Sequence, residues 1–225
     1  MNLFDIEQII RSKKRKTICI KITDNGKLII RVPYGTDDFF INKFIEKKRK
    51  LIEKKIQKVK EQKDNLSVRK FVTGEQFLFL GNNYKLSITD NQTESIIFDN
   101  QFYLPKDQIN FGRDIFQNWY KERAFEIIDS RTKFFAYKYG FTFNKIKISN
   151  AEKQWGSCSS KKNLNFSWRL IMAPVDIVDY VVVHELCHLR NMNHSSKFWI
   201  EVEKILPDYV ERKKFLRENG YLYRI

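Results

Sequence analysis

The sequence predicts an α+β chain of 225 residues, in which a β-rich N-terminal part carries a long basic helix and the remainder combines helices with a small antiparallel sheet. Three observations lead there. Stretches that alternate apolar and polar residues gather before residue 106, parted by Asn, Asp and Gly turns, whereas a 3.6-residue apolar period dominates after it. A composition that is 42% hydrophobic with only 8 Gly and 4 Pro belongs to a folded chain rich in regular elements. All 3 histidines fall between residues 184 and 194, which marks one site in the second half. The expected division is a basic β-rich region over 1–106 and a second domain over 107–225.

In chain order, residues 17–23 and 27–32 alternate around Asp24-Asn25-Gly26, a hairpin signal, and Pro33-Tyr34-Gly35 ends the second strand. Asp37 and Asp38 cap a helix expected over 37–63, with Phe40, Phe44, Ile45, Leu51, Ile52, Ile56 and Val59 as its apolar stripe. Strand signals return at 75–80, 84–89, 95–98 and 102–104, separated by Gly-Asn-Asn, Asp-Asn-Gln and Asp-Asn turns. They read as a small antiparallel sheet that the N-terminal hairpin joins. From 109 to 139 the pattern is helical, with Ile115, Trp119, Phe125, Ile128, Phe134 and Phe135 as candidate buried positions and Gly140 as a stop. Two strands, 145–149 and 164–172, then flank 150–163. Pro174 opens a helix running to about 189, because a missing N–H costs nothing in a first turn. Ser195 or Ser196 caps the next helix, which Pro207 breaks, and a last helix over 209–218 ends at Asn219-Gly220.

Charge and cysteine usage narrow the classes. Residues 1–64 hold 18 Lys/Arg against 9 Asp/Glu, so most of the net charge of +15 lies there, and between 43 and 63 ten Lys/Arg face three Glu. Two readings of that helix stay open: a solvated lysine-rich face, or contact with nucleic acid or another polyanion through counterion release. Cys19, Cys158 and Cys187 are odd in number and far apart, which argues against a disulfide framework and for a reducing, cytoplasmic setting. No basic-then-apolar leader opens the chain and no apolar run reaches the length of a membrane span.

The chemistry gathers at His184-Glu185-Leu186-Cys187-His188 and His194. Histidines four apart project from one helix face, one turn above each other, which suits two imidazoles closing on one ion. His194 supplies a third nitrogen if the chain turns back after His188, and Asn191, tolerant of the left-handed conformation, is the candidate for that turn. Zinc accepts neutral imidazoles readily, and three protein ligands leave a position open for water. Glu185 lies about 100° round the helix from His184, where a carboxylate can take a proton from water without binding the metal. Cys187 flanks the ligand stripe on the side away from Glu185 and reads as a further ligand or, in preference, as a small apolar helix-packing residue.

Gln154-Trp155-Gly156-Ser157-Cys158-Ser159-Ser160, Trp168-Arg169-Leu170, the stretch from Asp179 to Leu189, Asn193-His194-Ser195, Phe198-Trp199 and Pro207-Asp208-Tyr209 together resemble the YgjP-type bacterial zinc metallopeptidases, similar in turn to SprT-like and Wss1-like proteases. The resemblance covers about residues 110–220 in detail. It implies a zincin-like catalytic half, one zinc on His184, His188 and His194, Glu185 as general base, and a protein or peptide substrate. Gln154 departs from the pattern, which usually has arginine there. The segment from Trp155 through Gly156 and Ser157 reads either as a strand edge that holds an extended peptide or as a turn packed on the metal helix. Arg169 reads as a partner of the substrate or as half of a structural ion pair, for instance with Asp179. From another class, the alternative is a nucleic-acid-binding protein with a mainly structural zinc site, which would show a fourth ligand.

Overall fold

The computed structural model describes residues 4–23, 25–64, 69–90 and 93–225, with the side chains of 58–64 outside that description. Asp24 of the expected hairpin turn, Asn91 and Gln92 of an expected loop, and the side chains of Lys58, Val59, Lys60 and Lys63 in the basic stripe therefore lie outside the described residues. The chain divides into two compact units, Met1–Val68 and Arg69–Ile225.

In the first unit β1 (Ile6–Ser12), β2 (Cys19–Ile22) and β3 (Leu28–Pro33) precede α1 (Asp38–Lys47) and α2 (Arg49–Asp64). The hairpin expected from the sequence forms as β2 and β3, with Gly26 at φ +76° in its turn, and β1 adds in parallel on the other side of β3. Period-2 alternation puts Leu28, Ile30 and Val32 of the central strand fully inside, against Ile41, Ile45 and Ile52. The Asp37 side chain accepts from the Phe39 N–H at 3.0 Å, as an N-cap should. The expected single helix over 37–63 is instead two, parted at Lys48 (φ −103°, ψ 6°). No proline or glycine marks that break, so the apolar period running through Ile45, Ile52 and Ile56 carries no sign of it. The buried face is also narrower than expected, since Phe40 and Leu51 stand exposed while Ile41 is buried.

The second unit begins with β4 (Gln76–Phe79), β5 (Asn82–Thr89), β6 (Ile97–Phe98) and β7 (Phe102–Pro105), in the order β4-β5-β7-β6. The sheet expected to be antiparallel is mixed, because β5 and β7 pair in parallel, and the N-terminal hairpin has a sheet of its own rather than joining this one. After a 3₁₀ segment, α3 (Gly112–Tyr139) follows. It explains why the units divide after residue 68 and not after 106: the rings of Phe77 and Phe116 stack at 4.1 Å, and Phe102 and Phe79 meet Trp119 edge-on at 4.9 and 5.0 Å. Strands 76–105 thus bury their apolar face in the core that α3 shares. The α3 stripe includes Phe116, Trp119, Tyr120, Ala124, Ile128, Phe135 and Ala136, with Ile115 half-buried, whereas Phe125 and Phe134 face outward. Gly140 stops the helix at φ +67°, as expected.

β8 (Lys145–Ser149), β9 (Gly156–Cys158) and β10 (Asn163–Ser167) form a second mixed sheet, again not the antiparallel one expected. Its order is β8-β10-β9, which leaves β9 at an edge. The strand expected to reach 172 ends at Ser167 and turns into a 3₁₀ segment, Trp168–Met172, whose Ile171 and Met172 carbonyls accept from Leu80 and Gly81. α4 (Val175–His188), α5 (Ser196–Ile205) and α6 (Tyr209–Asn219) complete the unit. α4 is apolar nearly all round because α3, α5, α6 and β9 enclose it. Its one buried aspartate, Asp179, is held by Arg131 of α3 through two bonds of 2.5 and 2.6 Å. No helix among the described residues is long and apolar enough to cross a membrane.

Candidate functional site

The period of α4 sets His184 and His188 on one face, and the chain leaves the helix tightly after them. Leu189 N–H bonds to Leu186 O, and Arg190 and Asn191 N–H both bond to Cys187 O. Asn191 does not adopt the left-handed conformation expected of it. It serves the turn differently: its carbonyl lies 3.0 Å from His188 Nδ1, and its side chain donates to Glu201 Oε2 of α5 at 2.7 Å. Glu201 also takes Arg190 at 2.6 Å, and Arg190 in turn bonds the Tyr139 and Gly140 carbonyls at the end of α3. The loop is thus tied down on both sides, which brings His194 back over α4.

There the potential ligand atoms of His184, His188 and His194 lie within 4.8 Å of one another, and the Nε2 atoms of His184 and His194 are 3.0 Å apart. Two imidazoles bound to one zinc at about 2.0–2.1 Å in a tetrahedron have nitrogens roughly 3.3 Å apart, so the donor set fits that ion. Burial first, then His188, His194 and Lys213, push the His184 imidazole down to about 3, and His194 is lowered by the same kinds of effect. Both are therefore held neutral, the form that binds metal. With Nδ1 of His188 donating to a carbonyl, its Nε2 is the nitrogen left for a cation. The group is three residues among those described; Cys187 is buried in the core, apart from it.

Glu185 is 4% exposed, and burial raises its carboxyl to about 8, near the pH range in which a proton can be both taken and returned. Its Oε2 and the His184 Nδ1 are buried without a hydrogen-bond partner among the described residues, a cost usually carried only where chemistry needs it. Gly156 of β9 stands directly against this carboxylate: a Cβ there would lie 2.6 Å from Glu185 Oε1. A cleft of about 280 Å³ opens on the pair, walled by Trp155 and Gly156, by Tyr180 and Val181 of α4, and by Lys213, Leu216 and Arg217 of α6.

Of the other residues expected to touch substrate, Trp155 both borders this cleft and packs, its ring 5.8 Å from Tyr223 and close against Gly220. Ser157 pairs with Asn165 across the sheet, next to Gly156, outside the cleft wall. Arg169 is also outside it: it bonds the Asn150 carbonyl and Glu152, both at 3.0 Å, and lies over the Trp168 ring. The expected pair with Asp179 does not form, because Arg131 takes that carboxylate. Tyr180, Lys213, Arg217 and the Asn191–Glu201 link were not anticipated. Tyr180 was within reach of sequence reasoning, one turn before His184 on the same stripe. The α6 cations were not, since lysines and arginines occur throughout the chain.

The Glu201 link yields a prediction. Glu201→Ala should weaken zinc affinity about tenfold, by freeing the loop that orients His188, and Glu201→Gln, which can still accept from Asn191, should recover much of it. Competition with a chromophoric chelator reads this directly; equal affinity in all three proteins would remove the positioning role.

A family model described as YgjP-like, metallopeptidase domain, matches residues 16–219. No curated protein matches the chain. Among solved structures, the crystal structure of the metallopeptidase zymogen of Pyrococcus abyssi abylysin is similar at 22% identity and a TM-score of 0.38, over 43% of this chain and 96% of that one.

Proposed function

Since the chain belongs to the YgjP-like metallopeptidases, we propose that it hydrolyses peptide bonds with one zinc ion held by His184, His188 and His194 and with Glu185 as general base. The observation that carries this is the convergence of three imidazoles beside a buried carboxyl whose Oε2 has no hydrogen-bond partner among the described residues, at an open cleft. When bound, zinc supplies a Lewis acid that polarises the scissile carbonyl and makes water more acidic. Glu185 accepts the proton from the attacking water and returns it to the leaving amine, a cycle for which a carboxyl raised towards neutrality is suited. His188 is kept in one tautomer by the Asn191 carbonyl. The free edge of β9 offers main-chain groups that an extended peptide can pair with, which sets the scissile bond beside Glu185. A candidate ligand set of three among the described residues, where a structural site normally has four, supports catalysis over a purely structural ion. The free thiols Cys19, Cys158 and Cys187 support a reducing, cytoplasmic setting.

The test is metal analysis of the purified chain followed by mass spectrometry of a peptide mixture incubated with it. About one zinc per chain is expected, with new N-termini that disappear on chelation and return when zinc is restored. A zinc-replete chain that releases no new N-termini overturns the proposal.

A further inference from the structure

The cleft beside Glu185 has an uneven charge. Its wall carries Lys213 and Arg217 on α6, and Glu185 is its one carboxylate among the described residues. Positions 209, 213 and 217 fall four apart, so Tyr209, Lys213 and Arg217 stand above one another on α6, and the last two line the cleft. Lys213 Nζ sits 3.9 Å from the centre of the Trp199 ring, and that ring stacks on Tyr209 at 5.3 Å and on His194 at 5.6 Å. The ammonium is therefore held next to the metal ligands by an aromatic face and not by a carboxylate: no ion pair of Lys213 occurs within 4.0 Å among the described residues, and Arg217 has only its exposed neighbour Glu218 at 3.8 Å. Of the other lining residues, Trp155, Gly156 and Val181 bring no charge.

Resting on the peptidase reading above, the geometry points to Lys213 and Arg217 as specificity-determining residues that draw acidic peptides into the cleft by taking a carboxylate close to the scissile bond. Two cations without a full counter-charge at the mouth of a concave site raise the local concentration of an anionic substrate and fix its register, while a lysine-bearing peptide meets like charge. Such a carboxylate can come from an Asp or Glu side chain or from a free C-terminus.

The experiment uses the zinc-loaded full chain and matched quenched peptides carrying Asp, Asn or Lys at one position, each amidated at its C-terminus, plus the Asn peptide with a free C-terminus. The Asp peptide should exceed the Asn peptide about fivefold in kcat/KM, chiefly through KM, with the advantage shrinking as salt is added. In the Lys213→Gln, Arg217→Gln double variant that ratio should fall close to one, and Lys213→Arg should preserve it. An advantage confined to the free-acid peptide supports carboxylate recognition and assigns it to the chain end. Equal use of all four peptides, or a ratio that the double variant leaves untouched, overturns the inference while leaving the peptidase reading intact. Binding of the same peptides to zinc-loaded Glu185→Gln separates the two readings. If nothing is hydrolysed but the Asp peptide still binds best through Lys213 and Arg217, the peptidase reading falls and with it the link to a scissile bond, while carboxylate recognition in the cleft stands; without that preference, both fall.

Discussion

Glu185→Gln is expected to lower kcat/KM for peptide hydrolysis by about a thousandfold or more, with zinc content unchanged. Glutamine keeps the shape of the side chain but cannot take a proton from water. The fold should tolerate it well, because Oε2 has no hydrogen-bond partner to lose among the described residues and the carboxyl is nearly fully buried. The same burial gives a second readout in zinc-free protein. A carboxyl raised to about 8 when folded, against an ordinary 4.5, binds its proton more tightly in the native state, so it costs stability as pH rises from about 4.5 through 8. Wild type should therefore lose stability relative to Glu185→Gln across that window, which thermal unfolding of the two chelated proteins measures. Equal peptide turnover by the two proteins would remove the general-base assignment whatever the unfolding data show.

Gly156→Ala should cost about a hundredfold in kcat without loss of zinc. The added Cβ would sit 2.6 Å from Glu185 Oε1, 2.7 Å from its Cγ and 2.9 Å from its Cδ, all closer than real contacts allow. The side chain can yield by swinging into the cleft, so the fold survives while the carboxylate leaves its place. The three atoms nearest to that Cβ all belong to Glu185, so the carboxylate takes the first displacement and zinc is expected to stay bound. Steady-state kinetics alongside metal analysis separate the outcomes: full activity would show that Glu185 has more latitude than its packing indicates, and loss of zinc would mean that β9 supports the ligands themselves.

Much of the site was legible because it is local. His184 and His188 are four residues apart on a helix whose period is set by the backbone, and Glu185 follows from the same geometry. His194 was legible by chemistry, as the one remaining histidine close enough to return. Hairpin β2–β3, the Asp37 cap and the Gly140 stop were legible for the same reason, each being decided by a few adjacent residues. Arg169 shows where such reasoning runs out: an ion pair can be foreseen for it, but partners are chosen by which elements pack, and α3 delivers Arg131 to Asp179 while Arg169 bonds Glu152.

What the sequence by itself determined is therefore the α+β class, most of the elements and the helix that carries His184 and His188, because periodicity, turn residues and spacing act over one or two turns of chain. Only the tertiary structure decided that strands 76–105 belong with α3, that β9 runs its glycine against Glu185, that the Asn191 carbonyl orients His188, and that α6 turns two cations into the cleft. Each of these but the Asn191 contact depends on close approach between segments distant in sequence, and such an approach is fixed by how whole faces bury against one another, which no local pattern of residues encodes.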